Sequence, residues 1–106
     1  RFHMDLGLKG KVAVITGGSD GIGRATAEVL AREGAKVVIC ARGQEKLDQT
    51  VAHIRKAGGE VTAIKADVTS DADVNRLFDE TVKKYGGVDL LLNNAVRWVF
   101  NRFGAA

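Results

Sequence analysis

Four short runs rich in β-branched and aliphatic residues divide this chain: Lys11–Thr16 (KVAVIT), Lys36–Ala41 (KVVICA), Glu60–Lys65 (EVTAIK) and Val88–Asn93 (VDLLLN). None alternates cleanly between apolar and polar positions, so none fits a sheet with one wet face. Near-continuous apolar character predicts strands buried on both faces of a parallel sheet. Parallel neighbours need long crossovers, and the three intervening stretches carry helical spacing. Ile22, Ala25, Val29 and Leu30 share one face of the first; Leu47, Val51 and Ile54 share one face of the second; Val74, Leu77, Phe78, Val82 and Tyr85 share one face of the third.

Glycine follows each predicted helix, at Gly34, Gly58–Gly59 and Gly86–Gly87, where a residue tolerating positive φ ends the helix well. The third helix opens on Ser70-Asp-Ala-Asp73, a capping-box pattern whose serine oxygen and carboxylate satisfy free amides. The order βαβαβαβ, with right-handed crossovers, predicts the first half or more of a Rossmann-like doubly wound α/β sheet with strand order 3-2-1-4.

Composition removes other readings. With 106 residues the chain makes one domain at most, and 45% hydrophobic content fits a globular core. The formal charge of +3 comes from Lys and Arg scattered among Asp and Glu, which suits a mixed solvated surface better than a nucleic-acid partner. No apolar run is long enough to cross a bilayer and no signal peptide is visible, so no membrane association and a cytoplasmic location are expected. One cysteine, Cys40, forms no intrachain disulfide, and with only His3 and His53 besides, no metal cluster is expected. Arg1–His3 reads as a tag remnant, residues 4–95 as a partial dinucleotide-binding domain, and residues 96–106 as an atypical tail.

The loop after the first strand concentrates four glycines in Gly17–Gly23. There a helix presents unpaired amides and the positive end of its dipole, and glycines let backbone approach a phosphate closely. Ser19 adds a hydroxyl. The spacing Gly17-x-x-x-Gly21-x-Gly23 differs from the G-x-G-x-x-G fingerprint, and such a turn also serves geometry alone.

Thr16-Gly17-Gly18-Ser19-Asp20-Gly21-Ile22-Gly23 resembles the T-G-x-x-x-G-I-G cofactor loop of the short-chain dehydrogenase/reductase family. Asp67-Val68, after the third strand, resembles the family's adenine-contacting pair, and Asn93-Asn94-Ala95 matches the start of its N-N-A-G motif. The resemblance covers about residues 8–95. It implies that Gly17, Gly21 and Gly23 shape a pyrophosphate site and that Ser19 and the Ile22 amide contact phosphate or ribose. It further implies that Asp67 takes the adenine amino group, that Val68 packs on the ring, and that Asn93 and Ala95 line the nicotinamide ribose. Asn94 is expected to brace strands.

NAD-dependent members commonly end the second strand with an acid, whereas this chain has Ala41 followed by Arg42. A guanidinium can hold a 2′-phosphate with paired hydrogen bonds, which favours NADP over NAD; Arg42 also fits a solvated loop residue. Asp20 argues the other way, by repulsion, unless it caps the first helix.

Members of this family move hydride between a nicotinamide and a carbonyl or alcohol carbon, with a Tyr-x-x-x-Lys pair and a serine as catalytic groups. Here the single tyrosine, Tyr85, has Asp89 four residues on, so no catalytic residue is assigned. Val96 replaces the motif's last glycine, and the segment after it, with Trp98, Phe100 and Phe103, fits a short basic-aromatic helix, an end created by truncation or frameshift, or joined pieces of a longer chain. The expected function is the cofactor-binding part of a homo-oligomeric NADP-dependent reductase acting on a small carbonyl or alcohol, the 106 residues being inactive alone; the alternative is a non-catalytic dinucleotide-binding module. Cys40 is expected buried, His53 solvated, and Tyr85 in the core.

Overall fold

The computed structural model describes residues 7–17 and 21–93. Four strands and three helices alternate along the chain: β1 (Val12–Thr16), α1 (Gly21–Arg32), β2 (Lys36–Ala41), α2 (Gln44–Lys56), β3 (Glu60–Lys65), α3 (Asp71–Tyr85) and β4 (Leu90–Asn93). The strands form one parallel sheet in the order β3-β2-β1-β4, as expected from the sequence.

Strand pleating sorts the side chains into two cores. Ala13, Ile15, Val37, Ile39 and Val61 pack with Ala27, Leu30 and Ala31 of α1 and Leu47 and Ile54 of α2. Val14, Val38, Cys40 and Ile64 face the opposite way and pack with Leu77 of α3. All five residues of β1 are buried, because this strand has neighbours on both edges and helices on both faces. The direction of strand addition reverses at β1, which puts a crevice between the carboxyl ends of β1 and β4, the place where open sheets of this kind bind ligands.

The first helix buries a different stripe from the one its large apolar residues predict. Gly23, Ala27, Leu30 and Ala31 face the sheet, while Ile22 and Val29 are 78% and 47% exposed. Small side chains let the helix lie close on the sheet, and its flank toward α2 is fixed by the contact of His53 Nε2 with Glu28 Oε1 at 3.1 Å. In α2, Leu47 and Ile54 are buried and Val51 half-buried, as predicted. In α3, Leu77 and Thr81 form the buried line, Val74, Phe78 and Tyr85 are half-buried, and Val82 turns outward at 48% exposure. The buried hydroxyls of Thr50 and Thr81 donate to the carbonyls of Lys46 (2.9 Å) and Leu77 (2.8 Å) one turn back, which satisfies them inside the packed layer.

The helix stops behave as expected, with Gly34, Gly58 and Gly86 at φ of 91°, 90° and 87°. Ser70 caps α3 by accepting from the Asp73 amide at 3.2 Å. The Asp73 carboxylate does not close the box on the cap residue. Its Oδ2 accepts instead from the Asp67 amide at 2.8 Å, because the Ser70 amide is already bonded to the Asp67 carbonyl at 2.9 Å.

The fourth strand is shorter than the apolar run and is not buried on both faces. Asp89 replaces a strand residue's backbone acceptor with its side chain: Oδ2 accepts from the Val12 amide at 2.8 Å, while the Asp89 amide donates to the Val12 carbonyl at 2.9 Å. Leu90 and Leu92 pack on the α1/α2 core, and Leu91, on the other face, is 51% exposed. At the opposite edge, Arg55 Nη2 donates to the Val61 carbonyl at 3.1 Å and Arg76 Nη2 to the Lys65 carbonyl at 2.6 Å. Two arginines, one from each helical layer, therefore occupy outward-facing acceptors of β3.

Candidate functional site

The carboxyl ends of the four strands bring together Thr16–Gly17, Arg42, Asp67–Val68 and Asn93. At the end of β1 the Gly17 amide donates to the Cys40 carbonyl at 2.8 Å, extending the ladder by one residue before the chain turns. The turn uses Gly17 at φ 68° and resumes as helix at Gly21, φ 39°, both values costly for a residue with a Cβ. A Cβ at Gly21 would meet nothing within 4 Å among the described residues, so on their side this glycine opens onto free space. Gly23 is buried against the sheet, a packing role that brings the start of α1 close to β1. Ile22 keeps its side chain outside, and the amides of this first turn lack intrahelical acceptors by helix geometry. Ser19 and Asp20, expected in this loop, lie outside the described residues, as do Asn94 and Ala95.

Arg42 follows β2 directly and is exposed. The turn after β3 sits beside it. The Ala66 amide extends the ladder to the Ala41 carbonyl at 3.1 Å, and Asp67 comes next. Its Oδ1 accepts from the Thr69 amide at 2.9 Å and from Thr69 Oγ1 at 2.7 Å. These two bonds hold the Asp67 carboxyl below the ordinary aspartate value, with a smaller contribution from the Arg42 charge. Val68 is half-buried and packs on the α3-side core, so only part of its side chain faces the crevice.

At the end of β4, Asn93 Oδ1 accepts from Thr16 Oγ1 at 2.8 Å. This bond ties the carboxyl ends of β1 and β4, a bracing contact that the sequence does not assign to Asn93. Sequence reading also missed Thr69 and Asp73 as supports of Asp67. The signal was present: a threonine two residues after an aspartate commonly closes a side-chain turn on it.

Other titratable groups behave as predicted. Cys40 is buried, and burial raises its thiol above the ordinary 9.0 despite the opposing Gly17 hydrogen bond. Tyr85 lies near the amino ends of the strands, its hydroxyl 3.0 Å from Thr62 Oγ1 and the Lys36 ammonium 5.6 Å from the ring centre. Burial raises its pKa, opposed by the Thr62 bond. It is therefore remote from the strand carboxyl ends, which agrees with a core role. No group of three metal-ligating side chains occurs among the described residues, and no described helix is long and apolar enough to cross a membrane. Two concavities, about 270 Å³ between α1 and the end of α2 and about 390 Å³ between α3 and β3, lie away from the strand carboxyl ends.

Comparison with known proteins bears on this geometry. Residues 11–104 match the family described as short chain dehydrogenase. Tropinone reductase-like 1 from Erythroxylum coca is 51% identical over 88 residues, which are 83% of this chain and 31% of that protein. The short-chain dehydrogenase/reductase homolog YusS of Bacillus subtilis (strain 168) is 42% identical over 91 residues, 85% of this chain and 84% of that one. Among solved structures, an actinorhodin polyketide ketoreductase variant determined with NADPH superposes with a TM-score of 0.78 at 42% identity, over 79% of this chain and 32% of that chain. The chain spans between 31% and 39% of the length of seven of the curated relatives it matches.

Proposed function

Because this chain belongs to the short-chain dehydrogenase/reductase family, we propose that it supplies the NADP(H)-binding part of an oxidoreductase that interconverts a small carbonyl compound and its alcohol. The observation that carries this reading is the convergence, at one end of a parallel sheet, of a glycine turn leading into a helix, an exposed arginine after β2 and a fixed carboxylate after β3. The residues present fit a dinucleotide: Gly21 leaves open space beside helix amides suited to a pyrophosphate, and Asp67 keeps Oδ2 without a protein partner among the described residues.

In this reading Gly17, Gly21, Ile22 and Gly23, with Ser19 and Asp20, form the pyrophosphate wall. Arg42 holds the 2′-phosphate, Asp67 accepts from the adenine amino group, Val68 backs the ring, and Asn93 and Ala95 line the second ribose. When bound, the nicotinamide supplies the hydride chemistry. The Tyr-x-x-x-Lys pair is not among the 106 residues, so proton transfer to the substrate oxygen falls to groups outside them. Support for NADP comes from Arg42 and from the similar ketoreductase solved with NADPH. The whole protein is proposed to act in the cytoplasm as a homo-oligomer. A second reading, a dinucleotide-binding module without catalysis, is supported by the Bacillus subtilis homolog, 84% of which is matched by the cofactor-binding part alone.

Titration with NADPH and NADH, followed by cofactor fluorescence, tests the reading. Arg42→Ala should weaken NADPH by on the order of 1.5–3 kcal/mol, the range for hydrogen bonds to charged groups, and leave NADH nearly unchanged. No binding of either cofactor would refute the nucleotide site, and equal losses would refute the role of Arg42.

A further inference from the structure

Asp67 stands at the end of β3 in a turn pinned from several sides. Its amide donates to Asp73 Oδ2 at 2.8 Å, its carbonyl accepts from the Ser70 amide at 2.9 Å, and the preceding Ala66 amide is held by Ala41 at 3.1 Å. Backbone placement alone does not aim a carboxylate, because the side-chain torsions remain free to rotate. The two donors of Thr69, its amide at 2.9 Å and its hydroxyl at 2.7 Å, both reach the same oxygen, Oδ1. One oxygen is thus held from within the turn, and Oδ2 has no partner among the described residues.

We propose that Thr69 is a positioning residue whose hydroxyl locks the Asp67 carboxylate so that Oδ2 faces the nucleobase, making this turn selective for a base that carries an exocyclic amino group. The assignment rests on the reading that Asp67 meets adenine. An ionised carboxylate offers only acceptors, so an amino group satisfies Oδ2, whereas a base with a carbonyl at that position sets two acceptors against each other. The same two bonds that fix the geometry also lower the carboxyl's pKa, so orientation and charge state act in the same direction. Asp73 adds to this from the first turn of α3: its carboxylate holds the Asp67 backbone, and the Ser70 cap in turn holds the Asp73 amide at 3.2 Å. Thr69 is exposed, so removing its hydroxyl leaves no buried hole.

The test compares NADPH with its hypoxanthine analogue, in which a carbonyl replaces the adenine amino group, on the wild-type chain, Asp67→Ala, Thr69→Val and Thr69→Ser. The wild type should prefer NADPH. Thr69→Val should lose about 3- to 10-fold in NADPH affinity, the loss of one hydrogen bond's worth of positioning, with little change for the analogue, and Thr69→Ser should restore the preference. Asp67→Ala should abolish the preference. If Asp67→Ala leaves it intact, the adenine reading falls and the positioning role falls with it. If Asp67→Ala abolishes it while Thr69→Val matches wild type, or if Thr69→Val weakens both ligands equally, the positioning role alone is overturned. Should Thr69→Val not fold, Thr69→Ala serves in its place with the same ratio as readout.

Discussion

Gly58 and Gly59 are adjacent in the connection from α2 to β3, and they should resist substitution for different reasons. At Gly58 φ is +90° and a Cβ would meet nothing within 4 Å; the obstacle is conformational, worth about 1–2 kcal/mol for an ordinary L-residue. At Gly59 a Cβ would stand 2.7 Å from the Ala31 Cβ and 2.8 Å from Ile54 Cγ2. Carbon atoms in good contact sit roughly 3.5–4.0 Å apart, so both neighbours must yield by about 1 Å. Ala31 is part of a rigid helix and Ile54 is buried in the core, and overpacking of this kind costs about 1–3 kcal/mol. Thermal unfolding by circular dichroism reads these costs, since about 1 kcal/mol moves the midpoint roughly 4–8 °C in a domain of this size. Gly58→Asn should recover much of the loss of Gly58→Ala, because asparagine tolerates the left-handed region, whereas Gly59→Asn should be no better than Gly59→Ala. The steric loss at Gly59 should also shrink in an Ala31→Gly background. A Gly59→Ala stability within about 0.5 kcal/mol of wild type, below even the lightest overpacking cost, would refute the argument, as would the same cost in both backgrounds.

Three further outcomes can be checked on the same chain. Thr16→Val removes the hydroxyl that reaches Asn93 Oδ1 at 2.8 Å and should cost about 1 kcal/mol in urea unfolding, with faster amide exchange at the β1–β4 junction; unchanged exchange there would contradict the bracing role. Cys40 is buried with a raised pKa, so a thiol reagent at neutral pH should react at the rate of unfolding and reach full speed only in denaturant; prompt reaction in the native state would disprove its enclosure. The Asp67 carboxyl titrates below its ordinary 3.8 in the folded chain, so the unfolded chain binds more protons across that window and stability falls as pH drops through it. Thr69→Val should flatten the acid limb of a midpoint-against-pH curve, and an unaltered limb would count against the assigned cause.

How much of this was legible in the letters depended on whether the deciding contact was local. Strand order, the glycine helix stops and the Ser70 cap follow from runs and spacings, and the structure carries all of them. The inward face of α1 does not follow, because hydrophobicity ranks Ile22 and Val29 above Gly23 and Ala27, whereas close docking of a helix on a sheet selects the smaller residues. The boundary of β4 was hidden for a related reason: Asp89 reads as a polar residue within an apolar run, and only pairing with Val12, far away in sequence, shows it replacing a strand acceptor. At the site, the positions at strand ends were readable, but the partners were not. Asn93 is readable as a candidate ligand contact, but its bond to Thr16 at 2.8 Å is not, and Asp73 looked like half of a capping box until its carboxylate reached Asp67.

Where this sheet can widen follows from the two guanidinium groups laid along β3. A strand approaching from that side would have to displace Arg55 from Val61 and Arg76 from Lys65 and leave both charges without these acceptors, the kind of barrier that keeps sheet edges from sticking together. Growth is thereby steered to the far side, beyond β4, where Leu91 and the outer flank of α1 offer apolar area. The strand ends that carry Arg42 and Asp67 sit at the sealed side, and the β1–β4 crevice sits at the side open to extension. On the NADP(H) reading proposed above, polypeptide added there would reshape the chamber in which a substrate meets the nicotinamide, while the grip on the adenosine half would stay the same.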